Sequence, residues 1–232
     1  MRTTTWATGR MAGRFLLSGN RLLQWQPMKT QMVFIHGGMA FRNEDDFMTY
    51  LKTVPIDDPL AESPKRWKNT LRDALGSDFE VFLPSMPNKQ NAKYSEWKIW
   101  FERYIGFLRD GVVLAGHSQG GYFLAKYLSE NVLPIKVRAL YLIAAPMGPD
   151  GLGGEDGGDF APDAALLKDI SKNIEDIYVF HSKDDPVVPF AHAEGYREAI
   201  PDIHMVTFER KGHFLSEEFP ELIQSIRDIC EN

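Results

Sequence analysis

Cysteine is nearly absent from this chain: Cys230, close to the C-terminus, stands alone. A single thiol closes no intramolecular disulfide and assembles no cysteine-based metal site. Long apolar runs are missing too. Nothing approaches the roughly 20 consecutive apolar residues that cross a bilayer, so no membrane span is expected. Basic residues are the minority, 26 against 32 acidic, for a formal net charge of −6. A general nucleic-acid binder needs Lys and Arg to replace phosphate counterions, and no basic stripe supplies them here, so nucleic acid is not an expected partner. No grouping has metal-ligand spacing such as H-E-x-x-H, and neither G-x-G-x-x-G nor a P-loop occurs. No metal and no cofactor are expected.

One absence is local. From Met1 to Gln26 there is no acidic residue, and the charges are Arg2, Arg10, Arg14 and Arg21. Residues 1–28 are therefore read as a basic N-terminal tail, set apart from a domain over residues 29–232. Three readings of the tail stand side by side: an organelle transit peptide, a disordered extension, or an upstream start before a natural one at Met28. A secretory signal fits less well, because Asn20 and Arg21 interrupt FLLSGNRLL. The expected location is the cytoplasm unless this segment directs the chain to an organelle.

What remains is ordinary globular composition, 44% hydrophobic and 25% charged, enough for one substantial core. Six short apolar runs punctuate it: QMVFIH (31–36), FEVFLP (79–84), VVLAGH (112–117), VRALYLIA (137–144), DIYVFHS (176–182) and IHMVTFE (203–209). Several are almost continuous in Val, Ile, Leu and Phe, as strands buried on both faces of a parallel sheet require. Helical spacing separates them. SPKRWKNTLRDAL has Ser63 as N-cap and Pro64 at the first helical position. YSEWKIWFERYIGFL sets Trp97, Trp100, Phe101, Tyr104 and Phe107 or Leu108 on one face, and SEEFPELIQSIRDICEN repeats the pattern with Phe219, Leu222, Ile223, Ile226 and Ile229. Strand and helix alternating in this way predict an α/β fold, a doubly wound, mostly parallel six-stranded sheet flanked by helices. Two connections are long for this arrangement. The first follows the first strand, and the second, at about residues 146–175, is rich in Gly and Asp; together they are read as a minimal lid.

The sequence GHSQG at residues 116–120 is G-x-S-x-G. At average glycine usage a random chain of this length shows the pattern roughly once in a couple of hundred cases, so the strand before it and the helix after it carry the weight. That context makes Ser118 a nucleophile held on a strained strand-to-helix turn. A serine hydroxyl needs a base, and the base needs an acid to orient it. Downstream, HSKDDPVVP follows the fifth run and supplies a carboxylate, and KGHF follows the sixth and supplies His213; Ser, Asp, His is the chain order this architecture uses.

From Gln31 to the C-terminus the chain resembles the α/β-hydrolase family. Its modest length and minimal lid, with the DDP and GHF neighbourhoods, resemble the small serine-hydrolase branch of the retinoblastoma-binding-protein-9 type. The resemblance implies Asp185 as the acid, since Asp185 to Pro189 matches D-x-x-V-P, and His213 within G-H-F as the base. Asp184, one residue out of register, is read as a solvated turn residue. An oxyanion hole is implied at the backbone N–H groups of Gln119 and, in the H-G-x loop FIHGGMAF, of Gly38, with Met39 as the substitute. His36 and His117 are read as makers of structural hydrogen bonds, His192 and His204 as surface or helix-packing residues, and His181 as a neighbour of Asp185.

The expected activity is a cofactor-independent serine hydrolase that cleaves a carboxylic ester or related small-molecule acyl compound. Phe41, Tyr94, Trp97 and Met147 are expected around an apolar pocket mouth. The acidic lid residues Glu155, Asp156 and Asp159 are expected to disfavour strongly anionic substrates. Peptides, thioesters and lactones stay open. The competing class is a non-enzymatic interaction protein on the same scaffold, its protein partner unknown.

Overall fold

A computed structural model of the chain describes residues 13–16, 24–56, 58–152 and 155–231, with side chains from Met28 to Cys230. Near the start, β1 (Gly13–Leu16) pairs antiparallel with β2 (Gln24–Pro27). The rest of the basic tail up to residue 23 lies outside the described residues.

The main sheet has six strands, all parallel: β3 (Thr30–Ile35), β4 (Phe79–Phe82), β5 (Val112–His117), β6 (Val137–Ile143), β7 (Ile174–Ser182) and β8 (His204–Phe208), in the spatial order β4-β3-β5-β6-β7-β8. Strand residues alternate between two separate cores. On one face Val33, Ile35, Val112 and Leu114 pack under α3 (Tyr94–Ile105) and α4 (Gln119–Glu130). On the other Met32, Phe34, Val113 and Ala115 pack under α2 (Trp67–Leu75) and α7 (Pro220–Glu231). Burial on both faces accounts for the continuous apolar runs.

The helices differ from the sequence expectation in three places. The first connection contains α1 (Glu44–Thr53), capped by Asn43, whose side chain accepts the Asp46 N–H, with Glu44, Asp45 and Asp46 in the first turn. A further helix, α6 (Ala191–Ala199), follows β7. Finally, α2 begins at Trp67 with Arg66 as a cap that makes no side-chain bond, whereas Ser63 and Pro64 lie outside it. Contacts distant in sequence set that start: Trp67 donates its backbone N–H to the Ser216 carbonyl at 3.1 Å and its indole N–H to the Phe214 carbonyl at 2.8 Å.

In the second long connection, α5 (Ala164–Leu167) and a 3-10 turn at Ile170–Asn173 are the regular elements. Phe160 anchors this segment. It is fully buried, with ring centroids 5.3 Å from Trp97 and 5.9 Å from Tyr94. Among the described residues no helix is long and apolar enough to cross a membrane.

Candidate active site

The chain runs β3, out to β4, then back across to β5 on the other side of β3. Such a reversal opens a crevice beyond the carboxyl ends of the two strands where the direction switches. Ser118 and the His36–Phe41 loop leave the sheet at that point. They are in contact: a Cβ on Gly37 would sit 3.2 Å from Ser118 Cβ.

Ser118 has φ 54° and ψ −124°, a backbone conformation that costs free energy in any residue with a side chain and persists only where its surroundings enforce it. The glycines enforce it by close approach. A Cβ on Gly116 would meet Gly120 carbonyl atoms at 2.4 Å, one on Gly120 would meet the Ile35 carbonyl oxygen at 2.2 Å, and one on Gly121 would meet Ala145 Cβ at 2.6 Å. The Ser118 N–H donates to the Ile143 carbonyl at 2.8 Å, and its own carbonyl accepts from Gly121 and Tyr122. Gln119 opens α4, so its N–H is among those a helix leaves without an intrahelical partner, at the positive end of the helix dipole.

Hydrogen bonding decides which residue of the neighbouring loop is free to donate. Met39 gives its N–H to the Lys89 carbonyl at 2.8 Å and takes one from Ala92, and Ala40 gives its N–H to Glu155 Oε2 at 2.9 Å. Met39 therefore falls out as a substitute oxyanion donor. Among the described residues nothing accepts the Gly38 N–H. The loop is held from below by His36, whose Nδ1–H donates to the Gly37 carbonyl at 2.6 Å while Nε2 accepts the Met86 N–H at 2.9 Å. Burial keeps this imidazole below its ordinary pKa, and hence neutral near pH 7.

Asp185 follows β7 and His213 follows β8. The imidazole Nδ1–H faces both carboxylate oxygens, 2.9 Å from Oδ2 and 3.1 Å from Oδ1. Oδ1 also accepts the N–H groups of Val187 and Val188 at 2.8 and 3.0 Å, so the carboxylate is fixed by backbone as well as by the imidazole. The Asp185 side chain is inaccessible to solvent and that of His213 is 8% exposed. His213 is flanked by Gly212 at φ 51° and Phe214 at φ 52°. A bulky residue with positive φ marks a second strained turn.

Several long-range contacts hold that turn in place. His117, the residue before the serine, gives its Nε2–H to the His213 carbonyl at 2.9 Å, and the two rings lie 4.8 Å apart. Complete burial holds His117 well below the ordinary histidine pKa, with the His213 charge acting the same way. Asp184 accepts the Gly212 N–H at 2.9 Å and the Ser182 hydroxyl at 2.6 Å, and these bonds lower its pKa. It is an exposed turn residue that also ties down the histidine loop. His181 is fully buried beside Asp185, its Nε2–H on the Val188 carbonyl at 2.9 Å, and burial lowers its pKa. Ser118 Oγ makes no hydrogen bond to the imidazole, a contact that commonly tightens only in the complex with substrate.

The structure thus brings Ser118, Gln119, Gly38, Asp185 and His213 to one end of the sheet. It does not bring the expected pocket-mouth residues there as a group. Trp97 is fully buried and donates its indole N–H to the Pro87 carbonyl, Tyr94 donates its hydroxyl to Glu130, and Phe41 packs under Phe47 and Tyr50 of α1. Met147 docks on α6, where Gly195 makes room for its sulfur and His192 Nδ1 accepts its N–H at 3.0 Å. His192 is buried and also donates to the Asp150 carbonyl, which makes it an anchor of the lid segment rather than a surface residue. Sequence reading missed the tethering by Trp67 and Asp184, and for His117, read as a structural hydrogen-bond maker, it missed the partner. Asp184, beside Asp185, and His117, inside GHSQG, carried a local signal, and Trp67 carried none.

A doubly wound parallel sheet with a strained serine at its switch point is the α/β-hydrolase fold, and solved structures agree. The ydeN gene product of B. subtilis superposes with a TM-score of 0.62 at 19% identity, over 88% of this chain and 100% of that one. Est1E from Butyrivibrio proteoclasticus gives 0.58 at 14% identity, over 88% of each chain. The family model described as serine hydrolase matches residues 60–224, and the chain belongs to that family. The rat protein "Serine hydrolase RBBP9" is 25% identical over 165 residues, which cover 70% of this chain and 86% of that protein.

Proposed function

We propose that this serine hydrolase cleaves a carboxylic ester or related acyl compound through an acyl-enzyme formed on Ser118. The observation that supports it most is the buried Asp185–His213 pair, its Nδ1–H 2.9 Å from Oδ2, tied through His117 to the strained serine turn. Ser118 Oγ attacks the carbonyl carbon while His213 Nε2 takes the hydroxyl proton. Asp185 keeps the proton on Nδ1 and stabilises the imidazolium that forms. The developing oxyanion is received by the N–H groups of Gly38 and Gln119 at the start of α4. Collapse of the tetrahedral intermediate expels the alcohol, which takes the proton from Nε2. Water, deprotonated by the same imidazole, then releases the acid and restores the serine.

The test is turnover of p-nitrophenyl acetate and butyrate by the wild type, Ser118→Ala and His213→Ala. Each variant is expected to lose at least about 10³-fold in kcat while its melting temperature stays near that of the wild type. Unchanged turnover in Ser118→Ala would remove the mechanism.

A further inference from the structure

Three cations without a counterion, Arg66, Lys68 and Lys89, stand on segments bonded to the loops of this site. Lys89 rests on the oxyanion loop: its carbonyl accepts the Met39 N–H and would lie 2.7 Å from a Cβ on Gly38. Arg66 donates to the carbonyl of Leu215, two residues beyond His213. Lys68 follows Trp67, whose indole N–H is on the Phe214 carbonyl. Residues 66–68 and 89 are thereby pinned to the two loops that carry Gly38 and His213.

Two of these cations act on the third. The Lys68 ammonium is held below the ordinary lysine pKa, first by burial and then by Arg66 and Lys89. The same field reaches His36 from Lys89 and Lys68, and His117 from Lys68. Among the described residues none of the three has a carboxylate within ion-pair distance, although acids outnumber bases 32 to 26 and nearby Lys65 pairs with Glu217. Lys89 is exposed, but Arg66 and Lys68 are partly buried, where a charge without a counterion is costly, and an acidic chain has ample means of neutralising it.

The acids of the lid are each engaged within their own neighbourhood. Glu155 accepts the Ala40 N–H, and burial pushes its carboxyl up to about 7. Asp156 faces Arg42 at 3.7 Å and accepts the Gly158 N–H. Asp159 accepts the Tyr94 N–H at 2.9 Å.

We propose that Arg66, Lys68 and Lys89 form an anion subsite beside Ser118, so that the substrate is an acyl compound carrying a carboxylate close to its scissile carbonyl. This rests on the reading of Ser118 as the nucleophile. Ammonium groups on flexible stems recognise charge more than shape, which suits a carboxylate on a short chain.

The experiment compares matched esters that differ in one charge. On the acyl side the pair is p-nitrophenyl valerate and p-nitrophenyl hemiglutarate; on the leaving-group side it is phenyl acetate and 4-acetoxybenzoate. The readout is the ratio of kcat/KM, anionic over neutral, for the wild type, Lys68→Gln, Lys89→Gln and Lys68→Arg. Lys89→Gln, at an exposed position, guards against a folding defect in the half-buried Lys68 variant. The ratio is expected to exceed unity for at least one pair and to fall about tenfold in each Gln variant. It should persist in Lys68→Arg and shrink as salt rises. Ratios at or below unity for both pairs, or ratios that neither Gln variant moves, overturn the subsite while leaving the hydrolase reading intact. A wild type that turns over none of the esters and whose Ser118 resists a fluorophosphonate contradicts the hydrolase reading itself, and the subsite falls with it.

Discussion

Glu155 shows what a single ionisable residue does in this fold. Its carboxylate holds the Ala40 N–H at 2.9 Å, yet burial dominates and lifts its pKa to about 7, with Asp156 adding to the rise. The unfolded chain releases this proton near 4.5. Between those values the folded state binds more protons than the unfolded one, so the group's contribution to stability falls as pH rises from about 4.5 to 7. Glu155→Gln keeps an oxygen acceptor for Ala40 and removes the titration. The unfolding free energy of the wild type relative to the variant is expected to drop by about 2 kcal/mol between pH 5 and pH 8, as read by urea titrations; a pH-independent difference would refute the argument. At this scale the sequence was informative wherever chemistry imposed a pattern. Ser118 and His213 could be picked out because a nucleophile and a base are expected after particular strands in a set order, and the family resemblance selects Asp185 over Asp184. The partners of Trp67 and His117 could not be picked out, because Phe214 and His213 lie 147 and 96 residues away and no local pattern records such contacts.

Whole elements were legible in proportion to how much they bury. The inner strands β3, β5 and β6 were visible because both their faces are covered, the edge strands β4 and β8 being more exposed, and α7 because Phe219, Leu222, Ile226 and Ile229 form a continuous buried stripe. Helix α1 buries no residue fully, so its short apolar period of Phe47, Tyr50 and Leu51 carried little weight beside the Asn43 cap and the acidic first turn. The lid segment is the opposite case, irregular in sequence but firmly seated. Phe160 sits among Trp97, Tyr94, Tyr122 and Phe123, and a Cβ on Gly157 would meet Tyr122 at 2.8 Å. Phe160→Ala is expected to destabilise the domain by about 3–5 kcal/mol, measured by chemical denaturation. A loss below about 1 kcal/mol would mean that the segment is not part of the core.

For the molecule as a whole, six apolar runs predicted six strands, and the strand order places the β3 and β5 ends together as a doubly wound sheet requires. The sequence left the mixture of strand directions open; every neighbouring pair in the main sheet is parallel. That sheet begins at Thr30, and β1 pairs with β2 and not with it. We propose that residues 29–232 are the folding unit, so a chain begun at Met28 should melt within about 4 °C of the full chain, the shift that roughly 1 kcal/mol produces in a domain of this size. A much larger fall would make the preceding residues part of the fold. The central claim, an activated serine at the switch point of this sheet, is tested most directly by intact mass after treatment with a fluorophosphonate, on the wild type and on Ser118→Ala. The account predicts one adduct on the wild type and none on the variant. A folded wild type that takes up no label, or a variant that labels equally, would contradict it.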